Sequence, residues 1–171
     1  MTSRHFLLCP RGSASVEFAL MLPLLLILLF GGIEAGHFVW TQHKLAEAVR
    51  DGARYGARLP LTELCDGATE VMSDEIRDNI VLMTRTGQVA NAGAPPKVPG
   101  WTEDQVVVRP NCGAYVSTGF YAGYAADFGA GGPVVSVAAP NVAYPSMFNA
   151  LGIIDPVARL SAHSNSPGIG L

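Results

Sequence analysis

Phe18 to Ile33 is a run of sixteen consecutive uncharged residues, and a carboxylate, Glu17, stands immediately before it. As an α-helix the run rises about 24 Å. That is slightly short of the ~30 Å hydrocarbon core of a bilayer, but Gly12 to Val16 are uncharged as well. Eleven residues of the run are Leu, Ile, Phe or Val, each favouring insertion by roughly 0.3–0.6 kcal/mol near a helix centre. One glutamate near the end opposes this by less than the ~2.5–3.5 kcal/mol of a charge at mid-bilayer. The run is predicted to insert as a helix. Arg4 and Arg11 precede it, whereas the segment after it carries both signs. The positive-inside rule therefore places the N-terminus in the cytoplasm and residues after about 36 outside.

The totals exclude several classes. The 171 residues suffice for one domain with an appendage. Formal net charge is −3, charged residues make up 15 %, and Lys44 and Lys97 are the only lysines. Nothing in that balance suits nucleic acid or a phosphate-binding surface.

Three readings of the N-terminus compete. A cleaved secretory signal needs a small-residue site after the apolar region, and "IEAGH" offers one with Glu34 inside it. A plain membrane anchor explains the length but leaves Glu17 as an unexplained expense. The third reading takes "RG" followed by Glu17 as a processing site, with cleavage between Gly12 and Ser13.

The third reading gains from a resemblance. Arg11-Gly12, Val16-Glu17-Phe18-Ala19-Leu20, Pro23, Gly32 and Glu34, with the later "AVRDGARYGA", occur together in residues 11 to 58. This third of the chain resembles the N-terminal region of the TadE-like minor pilins and pseudopilins of Tad/Flp pilus systems. The resemblance implies a prepilin-type leader, Met1 to Gly12, removed by a membrane aspartyl peptidase at the cytoplasmic face. Ser13 becomes the new terminus and Glu17 the fifth residue. Glu17, with Phe18 beside it, is then an assembly residue whose carboxylate pairs with the terminal amine of a neighbouring subunit. The bland alternative is an interfacial glutamate reaching the headgroups. Cleavage also removes Arg4, Arg11 and Cys9 and takes the formal net charge from −3 to −5.

The implied partners are other pilin-like subunits, the prepilin peptidase, the inner-membrane assembly platform and the lipid bilayer, with no nucleic acid and no cofactor. The implied location is the inner membrane, single-pass, with the C-terminal head outside. The implied function is assembly or priming of the pilus. The alternative from another class is an uncleaved single-pass protein presenting a small binding domain.

Beyond the membrane the composition stays helix-compatible to Arg58, so the spacing predicts one helix over about 14–58 with its transmembrane part at 14–36. Pro23 is tolerated there because neighbours in a membrane satisfy the freed carbonyl. Gly32 and Gly36, and again Gly52 and Gly56, are four apart on one helical face and admit close packing against a partner or the protein's own head. The bland account is a Gly-rich chain, with 19 glycines. Arg50, Arg54 and Arg58 form a stripe with Glu47 and Asp51 placed for local ion pairs. A solvated face explains it, and an acidic groove on a partner pilin is the sharper alternative.

The head is predicted over 59–171. "LPLTELCDG" reads as a turn, followed by an amphipathic helix over about 67–86 with Asp66 as N-cap and Gly87 as stop. A Pro/Gly-rich linker covers 87–100. Strands are predicted at 105–110, 133–140 and 157–164, with a helical turn at 146–151. The fold class is α+β, a long N-terminal helix followed by a second helix and a small antiparallel sheet. That is the plan of pilin-like heads, and the N-terminal motif makes it the preferred one. Cys65 and Cys112, the cysteines left after processing, make one disulfide plausible outside the cytoplasm, against two buried free thiols. The stretch 113–133 interleaves five aromatics with Gly and Ala. It reads as a long loop, either folding back on the sheet or forming a contact surface.

No catalytic constellation is found. His37 and His43 do not share a helical face. His43 and Glu47 do, but a pair of ligands does not make a metal site. The glycine runs lack the lysine and the strand-to-helix setting of a phosphate loop.

Overall fold

A helix of 44 residues, α1 (Ser13–Gly56), dominates the computed structural model. Residues 13–91, 93–113, 133–150, 152 and 158–169 are described. The leader and nearly all of the aromatic loop at 113–133 lie outside them. The chain divides into two compact units, one up to His37 and one from Phe38 on.

In the first unit no breaker other than Pro23 interrupts α1. In the second, residues 38–56 form the spine of the head. Thr41, Leu45, Ala48, Val49, Gly52, Ala53, Gly56 and Ala57 are all buried. Their spacing of three and four is that of one helical stripe. Arg50, Arg54 and Arg58 lie outside it, exposed. The helix ends at Gly56, two residues before the predicted end, through tightened bonds from Arg58 N–H to the Tyr55 carbonyl and from Leu59 N–H to the Gly56 carbonyl. Pro60 follows, with no N–H to continue the helix.

A helical turn, α2 (Leu61–Leu64), leads into a two-stranded hairpin, β1 (Cys65–Asp66) and β2 (Thr69–Glu70). This corrects the second helix. It starts at Asp74 (α3, Asp74–Thr86), and its N-cap is Ser73, whose hydroxyl accepts from Ile76 N–H at 3.3 Å. Asp66 sits in the hairpin instead. Gly67 turns the chain there at φ 59°, a left-handed conformation that glycine adopts without steric penalty. Val71 N–H donates to the Leu64 carbonyl and closes the segment. At its other end α3 stops as predicted at Gly87, φ 78°, whose N–H reaches the Met83 carbonyl. Asp74 and Glu75 in its first turn and Arg85 in its last complement the helix dipole.

The segment 87–100 is more than a linker. Val98 is fully buried, and Trp101 just beyond it is 1 % exposed. Lys97 donates from its backbone to the Arg85 carbonyl and from Nζ to Asp51 at 3.0 Å. Asp51 thus pairs across the head with Lys97 rather than locally with Arg54. Arg85 reaches the Trp101 carbonyl through Nε and Glu103 through its guanidinium.

A 3-10 turn (Glu103–Gln105) precedes the sheet of β3 (Val107–Asn111), β4 (Val134–Ala143) and β5 (Arg159–Pro167), antiparallel in the order β3-β4-β5. β4 passes the predicted stop at Pro140. The register shifts between Ala139 and Val142, so Pro140, which cannot donate to the ladder, sits in a bulge. The extra residue also changes parity. Val135, Val137 and Ala139 are buried before the bulge, and Val142 and Tyr144 after it. One face of a ten-residue strand thereby stays apolar along its length. A helical turn, α4 (Met147–Ala150), follows near the predicted place.

Cys65 and Cys112 are joined by a disulfide, Cα–Cα 5.6 Å, which ties the small hairpin to the end of β3. With a sequence separation of 47 between the two cysteines, chain entropy makes such a cross-link worth about 4 kcal/mol. Replacing both with serine is expected to lower the unfolding free energy by about 2–4 kcal/mol. Urea unfolding in detergent, followed by tryptophan fluorescence, measures this. An unchanged midpoint would show that the hairpin is held by packing alone.

Candidate membrane and assembly helix

The described part of the first unit exposes one long apolar run, Phe18 to Ile33. Every residue from Ala14 to Ile33 is exposed, with Phe18 at 61 % and Leu20 at 77 %. This part of α1 is long and apolar enough to cross a membrane, and none of it is buried. A continuous surface of leucine and phenylalanine on this scale requires an apolar covering, either lipid or other helices. Glu17 and Phe18 are exposed on the second turn of α1. Ser13 is its first residue, and Gly12 lies outside the described residues.

The two glycine pairs stand in different settings. A Cβ added at Gly32 or Gly36 would meet nothing within 4 Å. These positions leave a strip of bare backbone where another helix can approach closely. At Gly52 a Cβ would come within 2.9 Å of Thr84 Cβ and still closer to its hydroxyl. At Gly56 it would lie 2.9 Å from Val135 Cγ1 and 3.2 Å from Ile80 Cδ1. The second pair is where α1 packs on α3 and on β4 within the head. Thr84, fully buried, satisfies its hydroxyl by donating to the Ile80 carbonyl at 2.7 Å. It therefore presents its side chain to Gly52 without an unpaired polar group.

The buried stripe from Thr41 to Ala57 was readable in the sequence through its three-and-four spacing, although glycine spacing alone drew attention to it. A second feature with a visible signal is the pair Trp40 and Lys44, one turn apart. The lysine Nζ lies 4.4 Å from the indole centroid. The Asp51–Lys97 bond, 46 residues apart, left no local signal. Among the described residues no cluster of His, Cys, Asp or Glu has the makings of a metal site.

The exposed apolar span, the glutamate before it and the small-residue stripe after it lie in one stretch of sequence, and that stretch matches a known family model. Residues 12–54 match the model of the TadE-like protein family. The match covers about a quarter of the chain, from the glycine before Ser13 to the last full turn of α1. The TadE-like segment thus includes both the apolar span and most of the stripe that builds the head. No curated protein and no solved structure matches the chain.

The geometry separates the two glycine pairs experimentally. Gly52→Ala is expected to lose about 1–2 kcal/mol of stability, because overpacking against Thr84 outweighs the ~1 kcal/mol gain in helix propensity. Gly32→Ala should leave the midpoint of head unfolding where it is. Urea titrations of both variants in the same detergent decide between close packing at Gly52 and mere glycine richness.

Proposed function

We propose that the chain is a minor pilin or pseudopilin that takes part in assembly or priming of a Tad/Flp pilus. The observation that carries this reading is the coincidence of the TadE-like match at 12–54 with a helix whose apolar run from Phe18 to Ile33 is left wholly exposed. The action is non-covalent, and no bond is made or broken by the chain itself.

On this reading a prepilin peptidase removes residues 1–12 and Ser13 becomes the terminus. The apolar part of α1 crosses the inner membrane with its N-terminus in the cytoplasm. There it packs among the helices of other pilin-like subunits at the assembly platform. Gly32 and Gly36 supply a face on which a neighbouring backbone comes close. Glu17 pairs with the terminal amine of a neighbour. A carboxylate among apolar helices needs such a partner, and breaking a buried pair costs about 3–5 kcal/mol, whereas the intact pair adds little net stability. Its contribution is register. The head stands outside the cytoplasm, in a compartment where the Cys65–Cys112 disulfide persists.

Intact mass and N-terminal sequence of the protein from its native membrane are expected to show a terminus at Ser13. An intact Met1 would mean an uncleaved anchor presenting a binding domain, and a terminus near His37 a secreted protein.

Glu17→Ala is expected to be inserted and processed normally yet to co-purify with far less of its pilin partners. Undiminished co-purification of a correctly processed variant would remove Glu17 from assembly.

A further inference from the structure

The head carries one exposed aromatic side chain among its described residues, Trp40, at 57 %. Val39 beside it is 54 % exposed. Neither belongs to the buried stripe, which starts at Thr41 on another face of the helix. Lys44, one turn on, is the first lysine or arginine after Arg11. Its ammonium sits over the indole at 4.4 Å and forms no ion pair with a carboxylate among the described residues. Tryptophan has a large apolar body and a polar N–H edge, which suits the layer where one end is in hydrocarbon and the other is wet. Lysine lies its stem along apolar surface and raises its charge to the headgroups. Here a cation–π contact holds the two together in advance.

We propose that Trp40 and Lys44 form a lipid-headgroup anchor that sets the outer membrane boundary at the base of the head, with the indole at the interface and the ammonium on a lipid phosphate. This rests on the membrane-spanning part of the proposed function. The occupant is lipid because the pair follows directly on the apolar span, and because its cation matches the phosphates found at that depth. Trp40 comes seven residues after Ile33, the last residue of the uncharged run. The boundary thus falls about one turn beyond residue 36, the limit implied by composition.

The chain has two tryptophans, and Trp101, 1 % exposed in the core, serves as the internal reference. The full-length protein is reconstituted in vesicles of phosphatidylcholine and phosphatidylglycerol carrying bromine either near the glycerol backbone or near the chain ends. Wild-type emission is expected to lose most of its Trp40 share to shallow bromines and little to deep ones. Trp40→Phe should lose almost nothing to either. Lys44→Glu should shift the Trp40 emission to the red and reduce the shallow quenching.

Equal or absent quenching in protein that resists alkaline extraction overturns the anchor and leaves the membrane span standing. Stronger quenching by deep bromines overturns the assigned depth. An unchanged Lys44→Glu variant overturns the role of the pair. Release of the protein by alkaline extraction overturns the membrane span itself, and the anchor with it.

Discussion

The close approach of α1 to α3 and β4 at Gly52 and Gly56 is the contact on which the head depends. A helix surface bearing Leu45, Ala48, Val49, Gly52, Ala53, Gly56 and Ala57 is shallow where the glycines fall and filled where the aliphatic residues fall. Thr84, Ile80 and Val135 occupy the shallow places. Interiors are packed at crystal-like density, so the facing elements have little freedom to shift. The sheet then presents its apolar face to the same core, and the bulge at Pro140 and Asn141 keeps that face continuous from Val135 to Tyr144. Without the parity change, Val142 and Tyr144 would point to the opposite side from Val137.

Around this core, covalent and polar ties differ in weight. The Cys65–Cys112 bridge holds a four-residue hairpin that buries almost nothing of its own. Its contribution of about 4 kcal/mol is therefore decisive for that element. Arg77 bridges Asp74 and Glu70 at an exposed site, where such pairs contribute about 0–1 kcal/mol. The Lys97–Asp51 and Arg85–Glu103 pairs are less exposed on the cationic side. They matter chiefly because they fix the Pro-rich segment that delivers Val98 and Trp101 to the core. Gln42, which donates to the Ser161 carbonyl, and Ile169 N–H, which donates to the Ala57 carbonyl, tie β5 and its tail to the spine helix.

One helix thus answers to two environments. From Phe18 to Ile33 its side chains are uncharged and exposed, which is the pattern selected by a hydrocarbon solvent. From Phe38 on it is amphipathic in the ordinary sense, with a buried small-residue stripe and exposed arginines. The TadE-like match runs through both. A single sequence segment therefore encodes an exposed apolar span and the platform on which the head is assembled.

The long N-terminal helix was legible in the sequence because its signals are local: the length and hydropathy of the run. The α+β class, the three strands and the helix stop at Gly87 were equally local, read from alternation, helical spacing and a left-handed glycine. The start of α3 was not, because Asp66 and Ser73 are both competent caps. The hairpin and disulfide at Cys65 decide between them. Pro140 read as a strand end because a missing donor is a local fact, whereas the bulge that absorbs it exists only when β5 is alongside. The partner of Asp51 was chosen the same way: Arg54 is near in sequence, but the fold brings Lys97 nearer in space. By itself the sequence determined the long N-terminal helix, the three longer strands and which run is apolar, since those follow from backbone propensity and transfer free energy residue by residue. Only the tertiary structure decided which glycines are filled by a neighbour, which cap is used and which charges meet, because these depend on atoms far apart in the chain arriving at the same place.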